Sequence, residues 1–230
     1  PKYKNGTEIQ YTVREKEVTP GYTDSQRTNG TNDYTIINTH TTETVQVTVN
    51  KEWVDNNDQD GIRPETVTIE LLANGEFLQE VTLDEENYHW THTVENLPKY
   101  KGGAEIQYTV REKTIPDGYI AEKPILNSTN NYTIKNTHTP ETTEVIVNKG
   151  WVDNNDQDGV RTDTVIIELL ADGSPIQEVT LDEENYQWTH TFENLPKYQN
   201  GAKIEYSVTE NSVPNYTSES SGSADTGYII

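Results

Sequence analysis

The sequence predicts an all-β protein built of tandem antiparallel β-sandwich repeats of immunoglobulin-like size. Three observations predict it. Valine, isoleucine, threonine, tyrosine and tryptophan fall in short alternating runs bounded by Asn-Gly, Gly-Gly and Asp-Gly turns, which is the pattern of half-buried strands. No window sustains a helical period. Long segments also recur almost unchanged, the mark of a repeat architecture.

The recurrence sets the domain organisation. Asn50-Lys51-Glu52-Trp53-Val54-Asp55-Asn56-Asn57-Asp58-Gln59-Asp60-Gly61 returns at Asn148–Gly159 with a single change, Glu52 to Gly150. Gln79 through Tyr88 returns unchanged as Gln177 through Tyr186, and Leu97-Pro98-Lys99-Tyr100 returns as Leu195-Pro196-Lys197-Tyr198. The chain opens on the same motif, Pro1-Lys2-Tyr3. Residues 1–40 therefore read as the C-terminal part of a preceding repeat, 41–139 as a complete repeat, and 140–230 as a repeat truncated before its closing Asn. His138-Thr139-Pro140-Glu141 joins the two larger units, and so short a junction predicts a semi-rigid rod.

Within 41–139 the strand signals run at 45–53, 66–73, 77–83, 88–94, 104–112, 118–122 and 131–137. In the first, Val45, Val47, Val49, Lys51 and Trp53 share one face while Gln46, Thr48, Asn50 and Glu52 share the other. Asn74-Gly75 supplies the turn after 66–73, Gly102-Gly103 the turn before 104–112, and Asp117-Gly118 the turn before the sixth. In 104–112 the inward series is Ile106, Tyr108, Val110 and Glu112. In 131–137 it is Tyr132, Ile134 and Asn136.

Composition narrows the function. With 39 acidic against 17 basic residues, the net charge of -22 repels nucleic-acid phosphates and anionic lipid heads, so neither is an expected partner. No apolar run approaches the ~20 residues of a membrane span, so no membrane insertion is expected. The chain has no cysteine, which removes disulfides, thiolate chemistry and Cys-based metal sites together.

Three strands each end a buried series on a polar group: Lys51, Glu112 and Asn136. Burying an ammonium costs several kcal/mol unless it is paired or neutralised. One reading is a strand-end Lys–Glu salt bridge with Asn136 capping a turn. The other is a condensation, in which a desolvated lysine becomes a neutral nucleophile and a glutamate of raised pKa shuttles protons to leaving ammonia. The truncated repeat keeps Lys149 and Glu210, and the opening segment keeps Glu15 and Asn38 without a lysine.

Lys-x-Trp-x-Asp near the start, Leu-Pro-x-Tyr and Ile-x-Tyr-x-Val-x-Glu in the middle, and Tyr-x-Ile-x-Asn-Thr-His at the end resemble the Cna B-type repeats of Gram-positive surface adhesins and pilins. The resemblance implies an inverse immunoglobulin-like sandwich in which Lys51 and Asn136 form an intramolecular isopeptide bond assisted by Glu112. It implies no cofactor and no turnover enzyme. The implied setting is the stalk of an extracellular, cell wall-anchored protein whose distal domain meets host matrix. An adhesive module that itself binds matrix protein or glycan is the alternative.

Other motifs point elsewhere. Asn56-x-Asp58-x-Asp60-Gly61 resembles the first half of a calcium loop, but Val67 stands where a bidentate Glu is needed. An acidic turn followed by Arg63 is the plainer account, so no metal is expected. His89 and His92, three apart in a strand, face opposite sides and do not share a metal. Glu85-Glu86 and Glu183-Glu184 read as solvated surface, Trp53, Trp90 and Tyr108 as core, and Tyr119 as exposed.

Overall fold

A computed structural model describes residues 1–230, apart from the side chain of Tyr88. In the 41–139 repeat, two sheets face each other. One carries Glu76–Asp84, Thr66–Ala73 and Tyr108–Glu112 in that order, all antiparallel. The other carries Thr91–Pro98, Thr44–Val54, Asn131–Thr137 and Ile120–Ala121, with Ile125–Ser128 also on Asn131–Thr137.

The alternation in sequence is what drives this layering. Val47 and Val49 from one sheet meet Val67, Ile69, Leu71 and Leu83 from the other, and all are essentially withdrawn from water. Each such side chain contributes about 1.5–3 kcal/mol through burial. Asn74 and Gly75 both adopt positive φ, as the tight hairpin between Thr66–Ala73 and Glu76–Asp84 requires.

The predicted antiparallel sandwich has one parallel pair per repeat. The first strand, Thr44–Val54, lies parallel to the last, Asn131–Thr137, with Lys51 opposite Ile134 and Trp53 opposite Asn136. The 140–230 unit repeats the arrangement around its own core of Val145, Val147, Ile167, Leu169, Leu181 and Leu195. There Thr142–Asn148 pairs with Gly227–Ile229 and ends where that short partner runs out. Residues 1–40 form two small ladders, Tyr3–Lys4 with Thr7–Glu8 and Thr23–Gly30 with Asp33–Thr39, both largely exposed.

Tyrosine hydroxyls stitch the strands together. Tyr108 donates to the Pro98 carbonyl at 2.7 Å, and Tyr132 donates to the Tyr108 carbonyl at 2.5 Å. Tyr206 and Tyr228 do the same with Pro196 and Tyr206, and Tyr11 and Tyr34 with Pro1 and Tyr11. This motif explains why Leu-Pro-x-Tyr and Ile-x-Tyr travel together in the sequence.

Three local expectations are corrected. The run at 88–94 starts later, at Thr91, because Glu85–Tyr88 forms a helical turn. The Asp84 carboxylate caps it by accepting from Asn87 N, and His89 and Trp90 then leave it with positive φ. His89 therefore stands outside the strand that holds His92. The 104–112 run divides into Ala104–Glu105 and Tyr108–Glu112, since its first part pairs with Tyr100–Lys101 and its second with Thr66–Ala73. Tyr119 is buried, its ring edge-on to Trp53 at 4.9 Å and its hydroxyl bonded to Asp55.

Replacing Ile69 by Ala should cost the repeat about 2–5 kcal/mol through the cavity it leaves. Replacing Ile120, which is 75% exposed, should change stability by no more than about 0.5 kcal/mol. Denaturant unfolding followed by tryptophan fluorescence compares the two.

Candidate functional site

The site lies at one end of the sandwich, where the parallel strands bring two of the polar groups together. Lys51 and Asn136 project from the same face of adjacent strands, offset by one inward position. Glu112 comes from the opposite sheet, where its strand partner is Ile69. Lys51 is 6% exposed and Asn136 fully buried.

The Asn136 Nδ2 donates to Glu112 Oε1 at 3.0 Å. Asn136 Oδ1 and Glu112 Oε2 are buried without a hydrogen-bond partner. The Lys51 ammonium lies 3.9 Å from the Trp53 ring centroid, and its only hydrogen bond among the described residues is a long one, 3.3 Å, to the Glu52 carbonyl. Its backbone N–H is fixed to the Trp90 carbonyl at 2.7 Å.

Burial lowers the Lys51 amine to about 8, against the opposing pull of Glu112, Asp55 and Glu52. Burial also raises the Glu112 carboxyl, opposed by Lys51 and by the Asn136 hydrogen bond. Both shifts run toward neutral forms, as a nucleophilic amine and a proton-carrying acid require.

The other copies differ. Lys149 Nζ lies 3.1 Å from Glu210 Oε1, with both side chains buried and the ammonium over Trp151. Here the lysine and glutamate form the ion pair of the simpler sequence reading. In the opening segment Asn38 Nδ2 donates to Glu15 Oε1 at 3.3 Å, so that pair meets without a lysine.

A cluster that the sequence reading missed supports Trp53. The Asp55 carboxylate accepts from Arg63 Nε at 2.9 Å and Nη2 at 2.6 Å, from Tyr119 OH at 2.8 Å and from Asp58 N at 3.0 Å. Burial opposes its charge, yet the bonds from Arg63, Asp58 and Tyr119 carry its pKa down to about 2. Trp53 is thereby held between Tyr119 and Trp90, over the lysine. Asp153, Arg161, Tyr216 and Trp151 repeat the cluster. Its signal was in the sequence: Asp, Arg and Tyr recur at matched places in both copies.

The calcium-like loop spends its polar groups on protein partners. Asp58 Oδ1 accepts from Arg63 N, Asn56 Nδ2 donates to Gln59, and Asp60 faces His138. Among the described residues, no three His, Asp or Glu side chains converge as metal ligands.

The complete sandwich repeat thus gathers Lys51 and Asn136 from its first and last strands and Glu112 from the facing sheet. The family model for the Cna protein B-type domain matches residues 1–39, 47–137 and 145–230, and the chain belongs to that family. It is 39% identical over 226 residues to a collagen adhesin of Staphylococcus aureus, covering 98% of this chain but 18% of that protein. It also matches the crystal structure of two B repeat units of the collagen binding protein of Staphylococcus aureus, with a TM-score of 0.73 and 39% identity. That match covers 100% of this chain and 58% of the other.

The depressed lysine makes a pH prediction. In an Asn136→Ala variant, which keeps Lys51 a free amine, the folded state carries a desolvated ammonium below about 8, whereas the unfolded chain holds its proton up to the ordinary 10.5. Stability should therefore rise with pH between these values. The same variant carrying Lys51→Met should show no such rise, as denaturant midpoints across that range will report.

Proposed function

We propose that the chain is a structural stalk segment of a bacterial cell-surface adhesin, its complete repeat locked by a self-formed amide between Lys51 and Asn136. The observation that carries this reading is the Asn136–Glu112 hydrogen bond beside a buried lysine of lowered pKa. The neutral Lys51 Nζ attacks Asn136 Cγ. Glu112 takes the amine proton and delivers it to Nδ2, the Cγ–Nδ2 bond breaks, and ammonia leaves. One C–N bond forms and one breaks, with no oxidant. Attack is preceded by a half-turn of the carboxamide, which exchanges Oδ1 and Nδ2 in nearly the same space. A protonated Glu112 then donates to Oδ1, is left as the carboxylate that takes the amine proton, and recovers its own proton from that oxygen when the adduct collapses. The product has no buried ammonium left to solvate.

The parallel pairing gives the bond its mechanical meaning. Chain tension enters at Thr44 and leaves at Thr137, at opposite ends of adjacent strands. A Lys51–Asn136 amide carries that load directly, so residues 52–135 lie outside its path. Closing so long a loop would add roughly 4–5 kcal/mol if the entropy scaling of disulfides applies. The bond also resists reductants, which suits an extracellular, cell wall-anchored protein without cysteine. Neighbouring repeats are the immediate partners, and host matrix is met through a distal domain. The relative named a collagen adhesin gives the adhesive alternative its footing, but this chain spans only 18% of that protein.

Intact mass spectrometry tests the cross-link. The chain should weigh one ammonia less than its sequence requires, and Lys51→Ala or Glu112→Ala should restore the full mass. An undiminished mass in the native chain refutes the bond. A deficit of two would mean that the Lys149 repeat also reacts. Saturable binding of the isolated chain to collagen or another matrix protein would favour the adhesive reading over the stalk.

A further inference from the structure

The loop once resembling a calcium site is the contact point between the two large repeats. Asp60 Oδ2 accepts from His138 Nε2 at 2.8 Å and from the Glu141 backbone N–H at 2.8 Å, both in the junction. The turn of the second repeat reaches the same loop, where Gly201 N donates to the Gln59 carbonyl at 3.1 Å. Gly61 and Gly201 meet backbone to backbone, since a Cβ on Gly61 would come within 2.4 Å of the Gly201 Cα.

The second repeat supplies an internal control. In its corresponding loop Asp158 is exposed, and a Cβ on Gly159 would meet nothing. Asp60, by contrast, is 9% exposed. Contact with the junction and the following repeat thus accompanies its burial.

The imidazole geometry adds a condition. His138 Nδ1 lies 2.9 Å from the Gly118 carbonyl while Nε2 faces the Asp60 carboxylate. Both partners only accept, so both ring nitrogens must carry protons, and only the imidazolium does. We infer that the Asp60 loop is a docking surface for the following repeat of the same chain, latched by His138 as a cation and loosened when His138 loses its proton. The inference stands whether or not the Lys51 amide forms.

The surroundings of His138 agree. Asp60 and, farther off, Asp55 face it from the loop, Tyr119 lies 5.6 Å from it ring to ring, and Glu141 turns its carboxylate to Lys197. The hydrogen bond to Asp60 raises His138 above the ordinary imidazole value. Asp60, which burial alone would raise, is held low by His138 and the Glu141 N–H. A raised imidazole contributes fully below its ordinary value and loses that contribution through its folded pKa. A lowered carboxylate contributes fully above its own ordinary value. The latch is therefore strongest between about pH 4 and 6.5 and weakens on the alkaline side.

The full chain has no cysteine, so Glu86→Cys and Glu184→Cys place one fluorophore on each repeat for single-molecule energy transfer. At about pH 5.5 the native latch should give one narrow distance population, lost at about pH 9. His138→Gln and Asp60→Asn should each be broad at both. A native population that stays narrow at the higher pH, or variants that remain narrow, overturns the latch. Nitrogen NMR of the native His138 ring gives an independent reading: both nitrogens should be protonated near neutral pH, and a single protonated nitrogen there also overturns it.

Discussion

Everything distinctive about this chain depends on the parallel contact between the strand that opens a repeat and the strand that closes it. Antiparallel neighbours arise from short turns, but a parallel pair needs the whole intervening chain to return to its starting edge. That return places residues far apart in sequence, Lys51 and Asn136, on one face of adjoining strands. It also puts the start of the first strand and the end of the last at opposite ends of the pair. The other sheet supplies a wall of apolar side chains and, at its end, the carboxyl of Glu112.

The electrostatics follow from that placement. An ammonium kept from water beneath a tryptophan is unfavourable, and the two copies relieve it differently. In one, the lysine stands beside a carboxamide already bonded to the glutamate. In the other, lysine and glutamate pair directly. The same two residue types thus stand either apart, with the glutamate bonded to an asparagine, or paired directly. Beneath both sits the Asp–Arg–Tyr cluster that keeps the tryptophan in place.

Much of this was legible in the sequence because strand parity is a two-residue code. Lys51, Glu112 and Asn136 each broke an apolar alternation, and the sandwich itself followed from turn spacing. What stayed hidden depended on contacts between distant loops. Asp55, Arg63 and Tyr119 do not share a strand, so no periodicity connects them, and Tyr119 looked exposed beside a turn. The Asp84 cap turned an expected strand start into a helical turn through a local hydrogen bond that outweighed the alternation around Trp90. Ile125–Ser128 went unseen because its residues are all exposed and carry no alternation to detect. Asp60 resembled a metal ligand by spacing, whereas its partner was a histidine in the junction.

The tyrosine stitching has a consequence for what the closing strand holds in place. Tyr108 donates from one sheet to the Pro98 carbonyl of the other, and Tyr132 donates back to the Tyr108 carbonyl, so the two sheets are tied in both directions. The closing strand carries both Tyr132 and Asn136 on its inward face. The packing that seats Tyr132 on its acceptor thus also holds the Asn136 carboxamide against Glu112.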